Sequence, residues 1–340
     1  MKTKIFHSEK DDFNSLITYS AQIIQQGGLV VFPTETVYGI GANALDPNAA
    51  SKIYRVKGRP SDNPLIVHIA NQQDLNTYAK NITSDAKLLI DAFWPGPLTI
   101  VFDKQTVVPS AITGGLDTVA IRMPSNPIAH ALIKSANVPI CAPSANISGT
   151  PSSTIFKHVY NDLFGKVDVI IDGGQSAVGL ESTVLDMTGD IPVVLRPGAI
   201  TKSMIETIIK HSVIDTTEHI TDNTIPKAPG MKYKHYAPKG EVILLKGTQD
   251  DIINYIKQQD PSIGIIASNE LCQYLETYHT YPLGPKNDPS LIARNIFLAL
   301  RTMDEHNIKH IYVEAFEDKE LGQAIMNRLL KASNYNLIKL

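Results

Sequence analysis

The sequence predicts an α/β chain in two parts, an α+β part followed by a smaller part assembled from βαβ units. Three observations carry that prediction. Over the first 210 residues short apolar runs alternate with frequent Pro, Gly, Asn and Asp. Between 211 and 239 apolar periodicity disappears, and beyond Gly240 strands and helices alternate. The 340 residues, 43% apolar and 19% charged, suffice for two domains of ordinary size. The chain therefore divides as 1–210, a linker at 211–239 and a second domain at 240–340. A linker of that length is uncommon unless it has a function.

In chain order, a helix is predicted over 12–26, where Leu16, Tyr19, Ile23 and Ile24 recur at helical spacing. A second helix follows Asp46-Pro47, an N-cap with proline at the first helical position, and stops at Gly58. Strands are predicted over 28–32, 64–69, 98–103, 118–123, 138–142 and 167–172, each a short apolar run bounded by turn formers. A hairpin through Thr188-Gly189-Asp190 has arms near 182–187 and 191–196. In the last part, strands over 241–246, 262–267 and 309–315 alternate with helices over 249–258, 289–306 and 320–333, with a strand or loop near 279–283. In the helix opened by Asp288-Pro289, Ile292, Ile296, Ala299, Leu300 and Met303 form one apolar stripe, suited to packing on a small parallel sheet.

A net charge of −3 argues against a constitutive nucleic-acid coat, because counterion release needs a concentrated basic surface; a local basic patch stays open. Cys141 and Cys272 lie far apart, which favours neither a disulfide framework nor a cysteine zinc site. The segment 1–14 mixes Lys2, Lys4, Lys10, Asp11 and Asp12 without an apolar core, and no later run approaches the ~20 residues of a membrane span. A cytoplasmic protein with no membrane partner is expected.

Five polar blocks fall where strands end: Pro33 to Gly39, Lys57-Gly58-Arg59-Pro60, Arg122-Met123-Pro124, Ser144-Ala145-Asn146 and Glu181-Ser182-Thr183. Open α/β sheets place ligands at such edges. Lys52, Arg55, Lys57 and Arg59 occur with no acid between Asp46 and Asp62, and Gly58 lets the backbone approach an anion. Arg122, and Arg196 before Pro197-Gly198, repeat the pattern of a cation at a strand end. Thr34, Thr36, Ser144, Asn146, Ser182 and Thr183 supply hydroxyl and amide groups for a small polar ligand. His68 lies on an apolar strand and is either a core histidine or a ligand contact; no metal site is expected at it. Glu35 and Glu181 read as structural or magnesium-directed carboxylates. Gly39-Ile40-Gly41-Ala42-Asn43-Ala44 satisfies G-x-G-x-x-A, but no helix starts before Asp46, so it cannot seat a pyrophosphate on a helix N-terminus. There is no G-x-x-x-x-G-K-[ST] loop, G-x-S-x-G elbow or H-E-x-x-H pair.

The blocks Pro33-Thr34-Glu35-Thr36-Val37-Tyr38-Gly39, Lys57-Gly58-Arg59-Pro60 with Asn63-Pro64-Leu65, Ala142-Pro143-Ser144-Ala145-Asn146 and Leu195-Arg196-Pro197-Gly198 together resemble the YrdC-like threonylcarbamoyl-AMP synthase family over about residues 10–210. The block Ala228 to Pro238, which contains Lys232, Tyr233, Lys234, His235 and Tyr236, resembles the long form of that family, in which a Rossmann-like domain follows. The resemblance implies a twisted mixed-sheet domain with a positively charged cavity, then a smaller parallel-sheet domain. It implies synthesis of L-threonylcarbamoyl-AMP from L-threonine, bicarbonate or carbon dioxide, and ATP with Mg2+. The product would serve N6-threonylcarbamoyladenosine formation in tRNA through a separate tRNA threonylcarbamoyl transferase. Carried over by position, Lys57, Arg59, Asn63, Ser144, Asn146 and Arg196 would hold ATP, with Thr118 close by and Lys57 and Arg59 acting on the reacting phosphate. Thr34, Thr36, His68, Arg122, Ser182 and Thr183 would hold threonine, and His235 and Tyr236 would close a lid over the nucleotide.

Two other functions remain compatible with the residues. One is a non-catalytic tRNA or double-stranded RNA-binding module using the Lys52 to Arg59 patch, with direct tRNA contact. The other is an enzyme making carbamoyl-adenylate for metallocofactor assembly, against which Thr183 and Arg122 argue by favouring an amino acid.

Overall fold

The computed structural model of the protein describes residues 2–215 and 235–340. Its residues group into two compact units. The first comprises 2–148, 153–177 and 181–215, and the second 149–152, 178–180 and 235–340. Of the expected linker, residues 216–234 lie outside the described residues.

In the first unit the strands are β1 (Lys4–His7), β2 (Val30–Phe32), β3 (Gly39–Asn43), β4 (Ile66–His68), β5 (Ala79–Lys80), β6 (Leu98–Lys104), β7 (Thr118–Arg122), β8 (Ile140–Cys141), β9 (Val169–Asp172), β10 (Thr183–Asp186), β11 (Val193–Arg196) and β12 (Ile214–Asp215). They form one mixed sheet in the order β1-β9-β2-β3-β8-β4-β7-β6-β10-β11-β12, with β5 paired to β6. The expected hairpin is the antiparallel pair β10–β11. Four strands of this sheet, β1, β3, β5 and β12, were not expected from the pattern. β1 lies in the charged segment 1–14 and buries Phe6 as it pairs with β9. β3 occupies Gly39-Ile40-Gly41-Ala42-Asn43, the stretch that mimics a dinucleotide motif. Its glycine is steric: a Cβ on Gly41 would lie 2.6 Å from the Phe32 ring and 2.7 Å from Ile140. β12 also pairs with β11 inside the stretch expected to be linker.

Local chemistry accounts for the helices. Asp12 caps Phe13–Gln25 by accepting the Ser15 N–H, and Leu16, Ile17, Ala21 and Ile24 are buried. Tyr19, read as part of that face, is instead partly exposed, edge-on to Phe6 at 5.7 Å under the Lys4 ammonium. Asp46 and Pro47 open Pro47–Lys57, which ends at Gly58 with φ 62°. The helix Pro127–Ala136 starts the same way, with Asn126 accepting from Ile128 and Ala129.

One face of the central strands, including Val67, Ile100, Ile121 and Leu185, belongs to the main core. The opposite face carries a small apolar floor of Ile66, Val101, Ala120, Val184 and Leu195. Polar side chains on that second face define the candidate site.

The second unit is a five-stranded sheet of β13 (Glu241–Lys246), β14 (Gly264–Ala267), β15 (His279–Pro282), β16 (His310–Glu314) and β17 (Leu337–Lys339), in the order β15-β14-β16-β13-β17. All of its pairings are parallel, as βαβ connections require. The helix Pro289–Glu305 buries the expected Ile292, Ile296, Ala299, Leu300 and Met303, and also Phe297 and Arg301.

Candidate active site

The register aligns one polar row across the first unit's sheet. His68 on β4 pairs with Arg122 on β7, Arg122 with Thr99 on β6, Thr99 with Val184 on β10, and Val184 with Arg196 on β11. Directly paired residues share a face, so His68, Arg122, Thr99 and Arg196 line one strip beside the apolar floor. Strand spacing puts the backbones of the two arginines about 14 Å apart.

Around Arg122 the contacts are dense. The guanidinium forms an ion pair with Glu35 at 2.7 Å and donates from Nη1 to Thr36 Oγ1 at 2.9 Å and from Nε to the Gly96 carbonyl at 3.2 Å. Burial pushes the Glu35 carboxyl up, but the Arg122 charge and its hydrogen bond outweigh this and hold Glu35 below the usual carboxylate range. The loop 33–38 is locked from within: the Thr34 hydroxyl donates to the Val37 carbonyl at 2.6 Å and lies 2.8 Å from the Thr36 hydroxyl. Tyr38 roots its end, donating to the Gly174 carbonyl at 2.7 Å and accepting from Gly173 N–H at 3.1 Å.

His68 is buried, and its Nδ1 contacts the Ile140 carbonyl at 3.3 Å. A carbonyl only accepts, so Nδ1 carries the proton and Nε2 is the acceptor. Burial, then the Arg122 charge, pushes its pKa down to about 3, so the ring is neutral at physiological pH. At the other end of the row, Arg196 donates from Nε to the Ser182 carbonyl at 3.0 Å and from Nη2 to Ser182 Oγ at 3.2 Å. Ser182 Oγ in turn lies 2.7 Å from Thr99 Oγ1. Thr183 points elsewhere: its hydroxyl donates to the Ile200 carbonyl at 2.6 Å and accepts the Ile200 N–H, holding the turn after Arg196.

A second cluster gathers on the loops after Lys57 and around Ser144. The buried Lys57 ammonium donates to the carbonyls of Ser144 and Asn146. Arg59 donates from Nη2 to the Pro64 carbonyl at 3.2 Å and from Nε toward that of Asn63 at 3.4 Å, shaping its own loop. Asn146 Oδ1 accepts from Ser144 Oγ, while Asn146 Nδ2 donates to the Ile147 carbonyl at 2.8 Å. The Asn63 side chain is buried, and its Oδ1 has no hydrogen-bond partner among the described residues. Thr118 shares the face of Arg122 but starts β7, about 13 Å along the strand. Lys52 and Arg55 stay out of this cluster: Lys52 donates to the Gly27 carbonyl, and both side chains line a cleft of about 360 Å³ with Leu29, Val56 and Lys166.

His235 and Tyr236 belong to the second unit. Their rings lie 5.5 Å apart, and the buried Tyr236 ring packs 5.2 Å from Phe297 and 5.8 Å from the Arg328 guanidinium. Two site residues escaped the sequence reading. Thr99 is a hydroxyl inside an apolar strand, and that interruption is its signal; the Gly96 carbonyl has none.

The family model described as "Telomere recombination", covering the Sua5, YciO and YrdC proteins, matches residues 22–198. The model described as "Threonylcarbamoyl-AMP synthase, C-terminal domain" matches residues 200–334. The threonylcarbamoyl-AMP synthase of Pyrococcus abyssi is 48% identical over 330 residues, 95% of each chain. That of Bacillus subtilis is 42% identical over 348 residues, 100% of each chain. The solved structure of P. abyssi Sua5 complexed with L-threonine superposes with a TM-score of 0.91 at 46% identity, covering 100% of both chains. Fold, polar row and relatives together define an adenylyl-transferring α/β enzyme. The chain belongs to the Sua5/YciO/YrdC family, in its two-domain threonylcarbamoyl-AMP synthase form, as the sequence blocks implied.

Proposed function

We propose that this chain makes L-threonylcarbamoyl-AMP from L-threonine, bicarbonate or carbon dioxide, and ATP, releasing pyrophosphate. The observation that carries this reading is the single strip holding two buried guanidiniums, a neutral imidazole and the Thr36 and Ser182 hydroxyls. Threonine is a zwitterion with a hydroxyl. A strip in which Arg122 is already balanced by Glu35 suits it better than an uncompensated cation would. Thr34, Thr36, His68, Arg122 and Ser182 surround that ligand, and Thr183 supports it through the turn at Ile200. ATP lies toward Lys57, Arg59, Asn63, Ser144 and Asn146, with Thr118 and Arg196 at its margins. An N–H donor of the nucleotide satisfies the open Asn63 Oδ1.

In the reaction the threonine amine adds to carbon dioxide and loses a proton to give a carbamate. A carbamate oxygen then attacks the α-phosphorus, and the bond from that phosphorus to the bridging oxygen of pyrophosphate breaks. The residues contribute orientation and fixed dipoles aimed at the spreading negative charge. Among the described residues no group of three or more His, Cys, Asp or Glu side chains is placed to hold a metal, and Glu35 is engaged by Arg122. A magnesium ion accompanying ATP would supply charge neutralisation on the phosphates. The anhydride hydrolyses easily, so His235 and Tyr236 act as part of a closing segment and a separate tRNA threonylcarbamoyl transferase consumes the product. No helix among the described residues is long and apolar enough to cross a membrane.

The test is pyrophosphate release from ATP with magnesium and bicarbonate, with and without L-threonine, with mass detection of the adenylate. Release that requires threonine, with the threonylcarbamoyl adduct present, is expected. Absence of release, with tRNA retained at low salt, would replace the enzyme by an RNA-binding module.

A further inference from the structure

Within the second unit, the helix Pro289–Glu305 presents Arg294, Phe297 and Arg301 at i, i+3 and i+7, on one face. Each meets a different segment of that unit. At Arg294 the contact is backbone to backbone: a Cβ on Gly179 would lie 2.3 Å from Arg294 Cα and 2.6 Å from its carbonyl oxygen. Gly179 also has φ +79°, so glycine is required there by both space and conformation. Phe297 holds the Tyr236 ring at 5.2 Å, inclined by 31°. Arg301, buried on the same helix, donates from Nε at 2.9 Å and from Nη2 at 2.6 Å to the Pro151 carbonyl. The segments of Pro151 and Tyr236 are tied to each other as well, because Ala237 N–H donates to the Gly149 carbonyl at 2.9 Å.

The three gripped segments are the continuations of the loops that carry the proposed ligand residues. Asn146 is three residues before Gly149, Ser182 is two after Leu180, and His235 and Tyr236 lie in the third segment itself. We propose that Gly179, Phe297 and Arg301 are positioning residues of the reaction: one helix face in the second unit fixes the roots of three loops, and so sets the geometry of groups none of these residues touches. The inference rests on the site reading above and gives the second domain a part in turnover. A small misplacement transmitted to a reacting group costs up to about a hundredfold in rate.

The experiment uses the full chain with Arg301→Ala and Arg301→Lys, and reads two things. The first is hydrogen–deuterium exchange of peptides covering 142–152 and 178–183. The second is threonine-dependent pyrophosphate release, resolved into kcat and KM for ATP. For Arg301→Ala the expected results are faster exchange in both peptides and a roughly ten- to hundredfold loss of kcat/KM, with unchanged exchange in the strands of the first unit. Arg301→Lys, which can still donate to Pro151, should recover most of the loss. Unchanged exchange in both peptides, or wild-type kcat and KM in a folded Arg301→Ala chain, would overturn the proposal. If Arg301→Ala does not fold, Arg301→Gln decides by the same two readings, with faster exchange and lower kcat/KM expected and wild-type values overturning. If the wild-type chain releases no pyrophosphate with threonine, it is the site reading that fails, and exchange alone decides the positioning role.

Discussion

Arg122 and Lys57 are both buried cations at the ends of secondary-structure elements, yet they are held by opposite means. Arg122 faces a carboxylate, Glu35, and spreads its remaining donors over Thr36 and Gly96. Lys57 donates to the carbonyls of Ser144 and Asn146, and its neighbour Arg59 to those of Asn63 and Pro64. A carboxylate cancels charge, whereas a carbonyl dipole orients a cation without cancelling it. The first arrangement therefore sets a buried ion pair in the wall of the row, and the second ties loops together through main-chain carbonyls. The difference teaches that the count of cations near a site says less about its ligand than the identity of their partners.

The sharpest way to break this comparison is Arg122→Ala. Removal of the guanidinium leaves Glu35 buried without its counter-ion and takes a donor from the Thr36 hydroxyl and the Gly96 carbonyl, so a loss of about 3–5 kcal/mol of stability is expected by denaturant unfolding. Threonine binding should fall with it. A variant as stable as wild type would mean that Glu35 and Arg122 do not form a compensated pair. Arg59→Ala should behave differently. Its guanidinium is assigned to the nucleotide, so ATP binding should lose about 1.5–3 kcal/mol, more than unfolding stability does. Calorimetry should read a roughly ten- to hundredfold weaker ATP affinity with threonine affinity retained. If the two variants show the same split between stability and binding, the contrast between the two ends does not hold.

The legibility of these features followed their range in sequence. The parallel sheet of the second unit was readable because each βαβ unit repeats the same local punctuation, and the Asp288-Pro289 cap and the stripe from Ile292 to Met303 lie within one helix. The cap at Asp46 and the stop at Gly58 were readable for the same reason. β3 was not, because Gly41 is chosen by the Phe32 and Ile140 side chains across the sheet and carries no strand propensity of its own. In the site, the residue types at strand ends were visible, but their pairing was not. Glu35 and Arg122 meet across 87 positions of chain, so no spacing rule links them. Thr183 illustrates the limit: its hydroxyl looks like its neighbour Ser182 in sequence, and only the fold assigns one to the Arg196 row and the other to the turn at Ile200.

The last test concerns His68 and asks whether the threonine end is kept neutral. The imidazole sits beside Arg122 in the row, and burial together with that charge brings its pKa down to about 3, against about 6.5 in an unfolded chain. Between these values the unfolded state binds a proton that the folded state refuses. Stability therefore rises with pH across this window and is lost as pH falls from about 6.5 toward 3, with a slope of at most about 1.36 kcal/mol per pH unit. In His68→Asn this contribution should vanish, so the two proteins' unfolding free energies converge as pH falls, while the separate acid limb of Glu35, lost below the usual carboxylate range, persists in both. Above pH 7 the threonine KM of wild type should not respond to pH through this residue, since the ring is already neutral. A wild-type stability curve parallel to that of His68→Asn from pH 6.5 to 4 would show that His68 takes up a proton in the folded state. The row would then carry a second positive charge beside Arg122, and the neutral-pocket account of threonine selection would fail with it.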